Sequence, residues 1–125
     1  MGNVLIFGAD YYEEYQTEDR LEKDMKLMAE AGMNTIRIAE STWSLEEPRE
    51  GEYDFSHVQR VIEAAGRYSI NVIIGTPTYA IPVWLAKKDP GILGENAFGS
   101  RQDMDITNPT YRYYAERIIR RLVSL

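Results

Sequence analysis

Short apolar segments alternate with amphipathic segments three times along this chain, and this alternation constrains the fold more than any other feature. The apolar segments lie at residues 4–7, 35–39 and 70–74, and they have the length and character of strands buried in a sheet. Each is followed by a segment with helical spacing of apolar residues. The repeated order of strand and helix predicts right-handed βαβ units and a parallel sheet in an α/β fold.

Residues that commonly begin and end helices mark the helix boundaries. Thr17, followed by two acidic residues, predicts the start of the first helix, and Gly32 predicts its end. Ser56, with a glutamine three residues later, has the capping-box pattern and predicts the start of the second helix. Asn108 before Pro109 predicts the start of the third helix.

The connections at the two ends of the strands differ in length. Those from helix to strand are very short, whereas those from strand to helix cover residues 8–16, 40–55 and 76–107. Two architectures fit the element order, a doubly wound sheet and a (β/α)₈ barrel. The first strand–helix turn has neither a GxGxxG motif nor a P-loop, and barrels carry their functional loops after the strands. We therefore predict the first three βα units of a partial (β/α)₈ (TIM) barrel.

The barrel interpretation predicts the arrangement of the strands. We expect parallel strands near residues 5–7, 35–38 and 72–74, in the spatial order 1-2-3, with helices on one side. A first strand placed between the other two would instead indicate a doubly wound sheet. Alternate apolar side chains are expected to face the barrel interior: Val4, Ile6, Ile36, Ile38, Val72 and Ile74.

Charge and cysteine content narrow the classes of partner and chemistry. The chain has 14 basic and 20 acidic residues, so binding to nucleic acid or to an anionic membrane is not expected. The lack of cysteine excludes disulfides, thiolate metal sites and a cysteine nucleophile within the chain. The first seven residues do not resemble a signal peptide, and no stretch approaches the roughly 20 apolar residues that span a bilayer. We therefore predict a cytoplasmic protein.

The loop after the second strand carries the most specific motif. Residues 43–55 read W-S-x-x-E-P-x-x-G-x-Y-D-F, which resembles the segment after the second strand of retaining barrel glycosidases. Four segments in order then resemble glycoside hydrolase family 42, a family of β-galactosidases: G-A-D-Y-Y at 8–12, R-I-A-E-S-T-W at 37–43, G-T-P-T-Y-A-I-P-V-W-L at 75–85 and R-Q-D-M-D-I-T-N-P at 101–109.

The resemblance implies a retaining mechanism with two carboxyl groups roughly 5 Å apart. In the family, the acid/base glutamate follows an asparagine at the end of the fourth strand, and the nucleophile ends the seventh. No Asn-Glu pair occurs in the sequence. We therefore expect both catalytic glutamates beyond Leu125, no catalytic residue in this chain, and no activity of the chain alone.

The length of the chain agrees with this expectation. A (β/α)₈ barrel takes about 250 residues, and this chain has 125. The last helix reaches Leu125 without the glycine, asparagine or proline that commonly marks a helix end. We expect residues 1–125 to be the N-terminal portion of a glycoside hydrolase catalytic barrel, interrupted in or after the third helix.

Several residues are candidates for the substrate site. In the family, the arginine at the position of Arg101 hydrogen-bonds the galactosyl unit; the alternative is a salt bridge that anchors the loop. Asp10, Glu40 and Trp43 follow the first two strands and are expected at the active-site mouth. The alternative for the two acids is hydrogen bonding to loop backbone or to a buried arginine, of which Arg37 is the obvious example.

The resemblance leaves some properties open. Some family members carry a cysteine zinc cluster that starts at the position of Asp105, and because this chain has no cysteine, we predict no metal and no cofactor. The expected ligands are β-galactoside sugars, bound by the full-length enzyme, and the isolated chain is expected to self-associate through its open sheet. Two other functions remain: a non-catalytic partial-barrel module, and another barrel glycosidase such as a β-glucanase or xylanase.

Overall fold

The computed structural model describes residues 4–94 and 103–125. It contains three strands, β1 (Gly8–Asp10), β2 (Thr35–Ile38) and β3 (Asn71–Ile74), and five α-helices. The helices are α1 (Leu21–Glu30), α2 (Trp43–Glu46), α3 (Ser56–Arg67), α4 (Val83–Lys88) and α5 (Pro109–Leu122). The chain divides into two compact units. One comprises residues 1–38 and 58–75, and the other comprises residues 39–57 and 76–125.

The first unit contains the whole sheet. Its strands pair in parallel in the order β1-β2-β3, which confirms the predicted topology. The register places Asp10 beside Arg37, and Arg37 beside Ile73. Because β1 lies at an edge and β2 is central, the sheet is not a doubly wound one with its first strand in the middle.

The position of the first strand differs from the prediction. The ladder begins at Gly8 and not at residues 5–7. A Cβ at Gly8 would overlap the carbonyl of Thr35, so the glycine allows the two strands to approach each other. The side chain of Asn34 holds the preceding segment, accepting from the Phe7 amide at 2.9 Å and donating to the Leu5 carbonyl at 2.8 Å.

The prediction for the inward-facing side chains was wrong for Ile36 and Ile38. Ile36 and Ile38 are 0% and 2% exposed and belong to the buried interior of this unit, whereas Arg37 between them is exposed. Ile73, beside Arg37 in the register, is 47% exposed. The apolar alternation of β2 thus marks its covered face, because amphipathic helices must bury their apolar side chains within the same unit. Those buried helical residues are Leu21, Met25, Val58, Val61, Ala64 and Ala65.

Three of the four predicted helix boundaries agree with the structure, since α3 also begins at Ser56, and one differs. Asn108 caps α5, its side chain accepting from the Tyr111 amide at 3.0 Å. Gly32 has φ of +82° after α1, and the amides of Gly32 and Met33 donate to carbonyls of the last helical turn, as in a Schellman motif. The start of α1 lies at Leu21 and not after Thr17, and the preceding segment forms ion pairs from Glu13 and Asp19 to Arg60 of α3.

The second unit packs α2, α4 and α5 around one apolar core. The buried members of this core are Trp43, Ile81, Leu85, Ile92, Tyr111, Tyr114, Ala115 and Ile118. The connection at residues 76–107 contains α4 and two 3₁₀ turns, Pro77–Tyr79 and Pro90–Ile92. None of the helices in the described part of the chain has the length and apolar character required to cross a membrane.

Candidate functional site

The carboxyl ends of the strands position the first candidate residues. Asp10 is the last residue of β1, is exposed, and lies beside Arg37 in the register. Arg37 was expected to be buried, but its side chain is exposed, because it alternates with the two buried isoleucines of β2. A carboxylate and a guanidinium on adjacent exposed strand positions are groups that can bind sugar hydroxyls, one accepting and one donating.

The loop after β1 is fixed by polar contacts within its own unit. The Tyr11 amide donates to the Arg37 carbonyl at 2.8 Å, and its phenol donates to Asp24 at 3.2 Å. Burial, together with the nearby Asp24 carboxylate, raises the pKa of the Tyr11 phenol well above its usual range. Arg60 adds ion pairs to Glu13 and Asp19. Asp10 therefore precedes a loop whose backbone is anchored at several points.

The motif at residues 43–55 is organised around the carboxylate of Glu47, which has no exposed surface. One of its oxygens accepts from the Trp43 indole at 3.0 Å, and the other accepts from the Gly51 amide at 2.8 Å. Arg117 of α5 forms an ion pair with the same carboxylate. The carbonyl of Glu47 also accepts from the Trp84 indole at 2.9 Å. Trp43 and Gly51 thus stand four residues before and four residues after Glu47 because both donate to its carboxylate within one loop.

The guanidinium of Arg117 lies among aromatic rings. Its central carbon is 4.6 Å from the ring centre of Tyr114, 5.7 Å from that of Tyr53 and 6.0 Å from that of Trp84. These distances are within the range of cation–π attraction. Burial and the Glu47 carboxylate raise the pKa of the Tyr53 phenol. Arg117 and Glu47 therefore form a partly desolvated ion pair that joins α5 to the loop after β2.

A second polar cluster lies at the surface of the same unit. Glu50 accepts from Lys88 of α4 at 2.9 Å and from the Tyr114 phenol at 2.5 Å. The hydrogen bonds from Lys88 and Tyr114 lower the pKa of Glu50, while the bond to Glu50 raises the pKa values of both Lys88 and Tyr114. The loop after β2 is therefore bonded to α4 as well as to α5.

Glu40 and Trp43 follow β2 in different environments. Trp43 is 0% exposed within the apolar core of its unit, and its indole nitrogen is bonded to Glu47. Glu40 is half-buried, and its carbonyl accepts from the Tyr79 amide at 3.2 Å. A role of either residue at the active-site mouth stays a prediction. Trp84 packs edge-to-face on Tyr114, with the ring centres 5.3 Å apart.

Arg101 lies outside the described residues. The described residues on either side of it are joined by hydrogen bonds, from the Gly94 amide to the Asp103 carbonyl at 2.8 Å and from the Asp105 amide to the Ile92 carbonyl at 2.7 Å. In residues 4–94 and 103–125, no group of three or more histidine, aspartate or glutamate side chains is placed to hold a metal ion.

Sequence reasoning missed two features of the site. Glu47 was read only as part of a motif, although its position four residues after Trp43 on a helical turn permits the indole–carboxylate bond. Arg117 gave no signal, because it lies 70 residues from Glu47 and only the fold brings them together.

Comparisons with known proteins identify the family. The sequence model of glycoside hydrolase family 42, described as β-galactosidase, matches residues 10–125. The β-galactosidase BgaA of Clostridium cellulovorans is 41% identical over 99 residues, which cover 79% of this chain and 15% of that protein.

Solved structures give the same result. A β-galactosidase from Halorubrum lacusprofundi superposes with a TM-score of 0.85 at 31% identity, over 94% of this chain and 19% of its own. Gan42B, a family 42 β-galactosidase from G. stearothermophilus, superposes with a TM-score of 0.83 at 32% identity. The superposition covers 95% of this chain and 19% of the Gan42B chain. The parallel order β1-β2-β3 is thus part of a TIM barrel, and this chain belongs to glycoside hydrolase family 42, the β-galactosidase family.

Proposed function

We propose that residues 1–125 are the N-terminal portion of the catalytic barrel of a retaining β-galactosidase that cleaves terminal β-galactosides. The observation that carries the proposal is the family match over residues 10–125, joined to the parallel β1-β2-β3 sheet. The chain spans 15–19% of the length of the relatives it resembles. The activity therefore belongs to a longer protein that contains this chain.

The proposed division of labour assigns the bond-breaking step to residues outside the chain. One glutamate attacks the anomeric carbon, and the other protonates the departing oxygen and later activates water. Both are proposed to lie beyond Leu125. Within the chain, Arg101 supplies hydrogen-bond donors to the galactosyl hydroxyls, and the carboxylates of Asp10 and Glu40 supply acceptors at the mouth.

The test of this proposal compares the longer protein with the 125-residue chain on an aryl β-galactoside. We expect turnover by the longer protein and none above buffer background by the chain. Parallel assays on an aryl β-glucoside and on xylan separate a β-galactosidase from a β-glucanase or xylanase. Turnover by the pure chain, abolished by Asp10→Asn or Glu40→Gln, would contradict the proposed division of labour. Inactivity of the longer protein on all three substrates would favour a non-catalytic module.

The substitution Arg101→Ala tests the sugar contact in the longer protein. We expect kcat/KM to fall by the equivalent of about 1.5–3 kcal/mol, the range for a hydrogen bond made by a charged group. Arg120→Ala is the matched control, because Arg120 is 76% exposed on α5 and pairs only with Glu116 of the same helix among the described contacts. Kinetic constants unchanged by Arg101→Ala would contradict the sugar contact and favour a loop anchor.

The proposal also covers the partners and location of the chain. Apolar side chains at the start of the chain and on the sheet are exposed, including Leu5 at 84% and Ile73 at 47%, which supports self-association of the isolated chain. The cysteine-free sequence is compatible with a reducing cytoplasm. Fractionation of cells that express the longer protein tests the cytoplasmic location.

A further inference from the structure

Ala39, the residue that follows β2, has an unusual backbone conformation. Its φ is +76°, in the left-handed region, and its side chain is 1% exposed. An L-residue with a Cβ is strained there, because the Cβ approaches the following carbonyl oxygen. Ser69 also has positive φ, at +57°, but it is exposed and follows α3, where helices commonly end in this conformation. Ala39 ends no helix, so its conformation needs another explanation.

Buried polar groups hold Ala39 in this conformation. The Thr42 hydroxyl donates to the Ala39 carbonyl at 2.9 Å, and the Thr42 amide donates to the same oxygen at 3.4 Å. The same hydroxyl lies 2.7 Å from a carboxylate oxygen of Glu46, so its one hydrogen is shared between the two acceptors. Thr42 is 2% exposed and Glu46 is 0% exposed, so these contacts are shielded from water. Strained residues persist only where the surroundings over-determine them, and such residues concentrate at functional sites.

The turn at Ala39 sets the direction in which the backbone enters Glu40. It follows Ala39 directly, so the left-handed φ of Ala39 determines where the chain turns as it enters Glu40. On its other side, the Glu40 carbonyl accepts from the Tyr79 amide at 3.2 Å. The backbone of Glu40 is therefore restrained on both sides, although it lies in a connection where chains normally vary.

We propose that the turn at residues 39–42, braced by Glu46, is a positioning device that fixes the Glu40 carboxylate for contact with a sugar hydroxyl. The inference rests on the proposed β-galactosidase function. Chemistry in barrel enzymes lies at the carboxyl ends of the strands, where Glu40 is found. An ionised carboxylate only accepts hydrogen bonds, which suits it to a hydroxyl donor. Ala39, Thr42 and Glu46 act through Glu40 and do not touch the substrate themselves.

The experiment uses the longer protein and measures kcat, KM and Tm for matched variants. Ala39→Gly removes the strain and loosens the turn, and we expect kcat/KM to fall ~10-fold without a lower Tm. Thr42→Val removes the hydroxyl and should lower both quantities, whereas Thr42→Ser retains it and should restore kcat/KM. Ser69→Gly makes the same type of change outside the turn, and it should raise Tm while leaving kcat/KM unchanged.

A double-mutant cycle with Glu40→Ala separates positioning from a general structural role. If the turn acts through Glu40, Ala39→Gly should have no further effect on kcat/KM when Glu40 is already alanine. Equal effects of Ala39→Gly in both backgrounds, with an active wild type, would overturn the positioning role and leave the proposed function intact. A wild type inactive on every galactoside would overturn both. For Ala39→Gly, a fall in kcat/KM that is accompanied by a matching fall in Tm would also contradict positioning.

Discussion

At the scale of single residues, the Glu47 carboxylate accepts from donors that lie four, four and 70 residues away in sequence. Its location explains the spacing of Trp43, Glu47 and Gly51 within residues 43–55. Gly51 has φ of +81°, a conformation that glycine adopts without strain, and its amide donates to Glu47. Trp43, Glu47 and Gly51 therefore serve the geometry of one loop.

Removal of the Glu47 charge should be strongly destabilising. Glu47→Ala leaves the guanidinium of Arg117, which is 25% exposed, without its carboxylate, and breaking a buried ion pair costs about 3–5 kcal/mol. Thermal unfolding of the longer protein measures the effect. Glu52→Ala is the matched control, because its pair with Arg49 is well exposed, and exposed pairs contribute about 0–1 kcal/mol. Equal shifts in Tm for the two variants would contradict the central role of Glu47.

At the scale of elements, the loop after β2 is tied to two helices by groups of opposite charge. Arg117 connects it to α5, and Lys88 connects it to α4 through Glu50. Helices α4 and α5 also share the apolar core of their unit. Hydrophobic burial supplies most of the stability of such a core, while the polar bonds select the position of the loop upon it.

The Glu50 contact should give the stability a pH dependence in acid. Because hydrogen bonds from Lys88 and Tyr114 lower its pKa from the ordinary value of 4.5, folding is favoured when Glu50 is ionised. This contribution is present above pH 4.5 and is lost as the pH falls through the lowered pKa. Glu50→Gln should flatten that part of the curve of Tm against pH.

At alkaline pH, the same contact makes the stability fall as the pH rises. The pKa of Lys88 is raised from 10.5, so its contribution is present below pH 10.5 and is lost as the pH rises through the raised pKa. Glu116→Gln is the control for both the acid and the alkaline parts of the curve of Tm against pH. Glu116 is 64% exposed and pairs with Arg120 on the same helix. If the acid part of the curve of Tm against pH is unchanged in Glu50→Gln, the contacts of Glu50 with Lys88 and Tyr114 do not control stability.

At the scale of the whole molecule, the isolated chain carries an open sheet. Three strands of a barrel leave two edges with unpaired backbone groups, and such edges pair readily with other chains. Apolar side chains beside the sheet are also exposed: Val4 at 76%, Leu5 at 84%, Ile6 at 68% and Ile73 at 47%. The proposed barrel would cover these groups with further strands.

We therefore expect the 125-residue chain to self-associate when it is separated from the longer protein. Sedimentation equilibrium should detect the association, and the double substitution of Leu5→Ser with Ile73→Ser should weaken it because less apolar surface is buried on association. Leu27→Ser is the control, since Leu27 is 48% exposed on α1 and away from the strands in sequence. A monomer with a cooperative melt and no dye-binding apolar surface would contradict this expectation.

The sequence determined the features of this protein that depend on local chemistry. Apolar periodicity gave the order of strands and helices, Asn108 and Gly32 gave helix ends through their own hydrogen bonds, and four motifs gave the family. Those signals lie within a few residues of the groups they affect. The parallel order β1-β2-β3 followed from the barrel interpretation, in which each strand pairs with the next one along the chain.

Tertiary structure alone decided the features that depend on distant groups. The covered face of β2 follows from which side the helices occupy, and period-two alternation cannot distinguish the two sides. The ladder starts at Gly8 because of its close approach to Thr35, which is distant in sequence. Ala39 has positive φ although alanine gives no sign of it, since Thr42 and Glu46 impose the conformation through buried hydrogen bonds. Glu47 meets Arg117 only after folding, because contacts across 70 residues leave no local pattern.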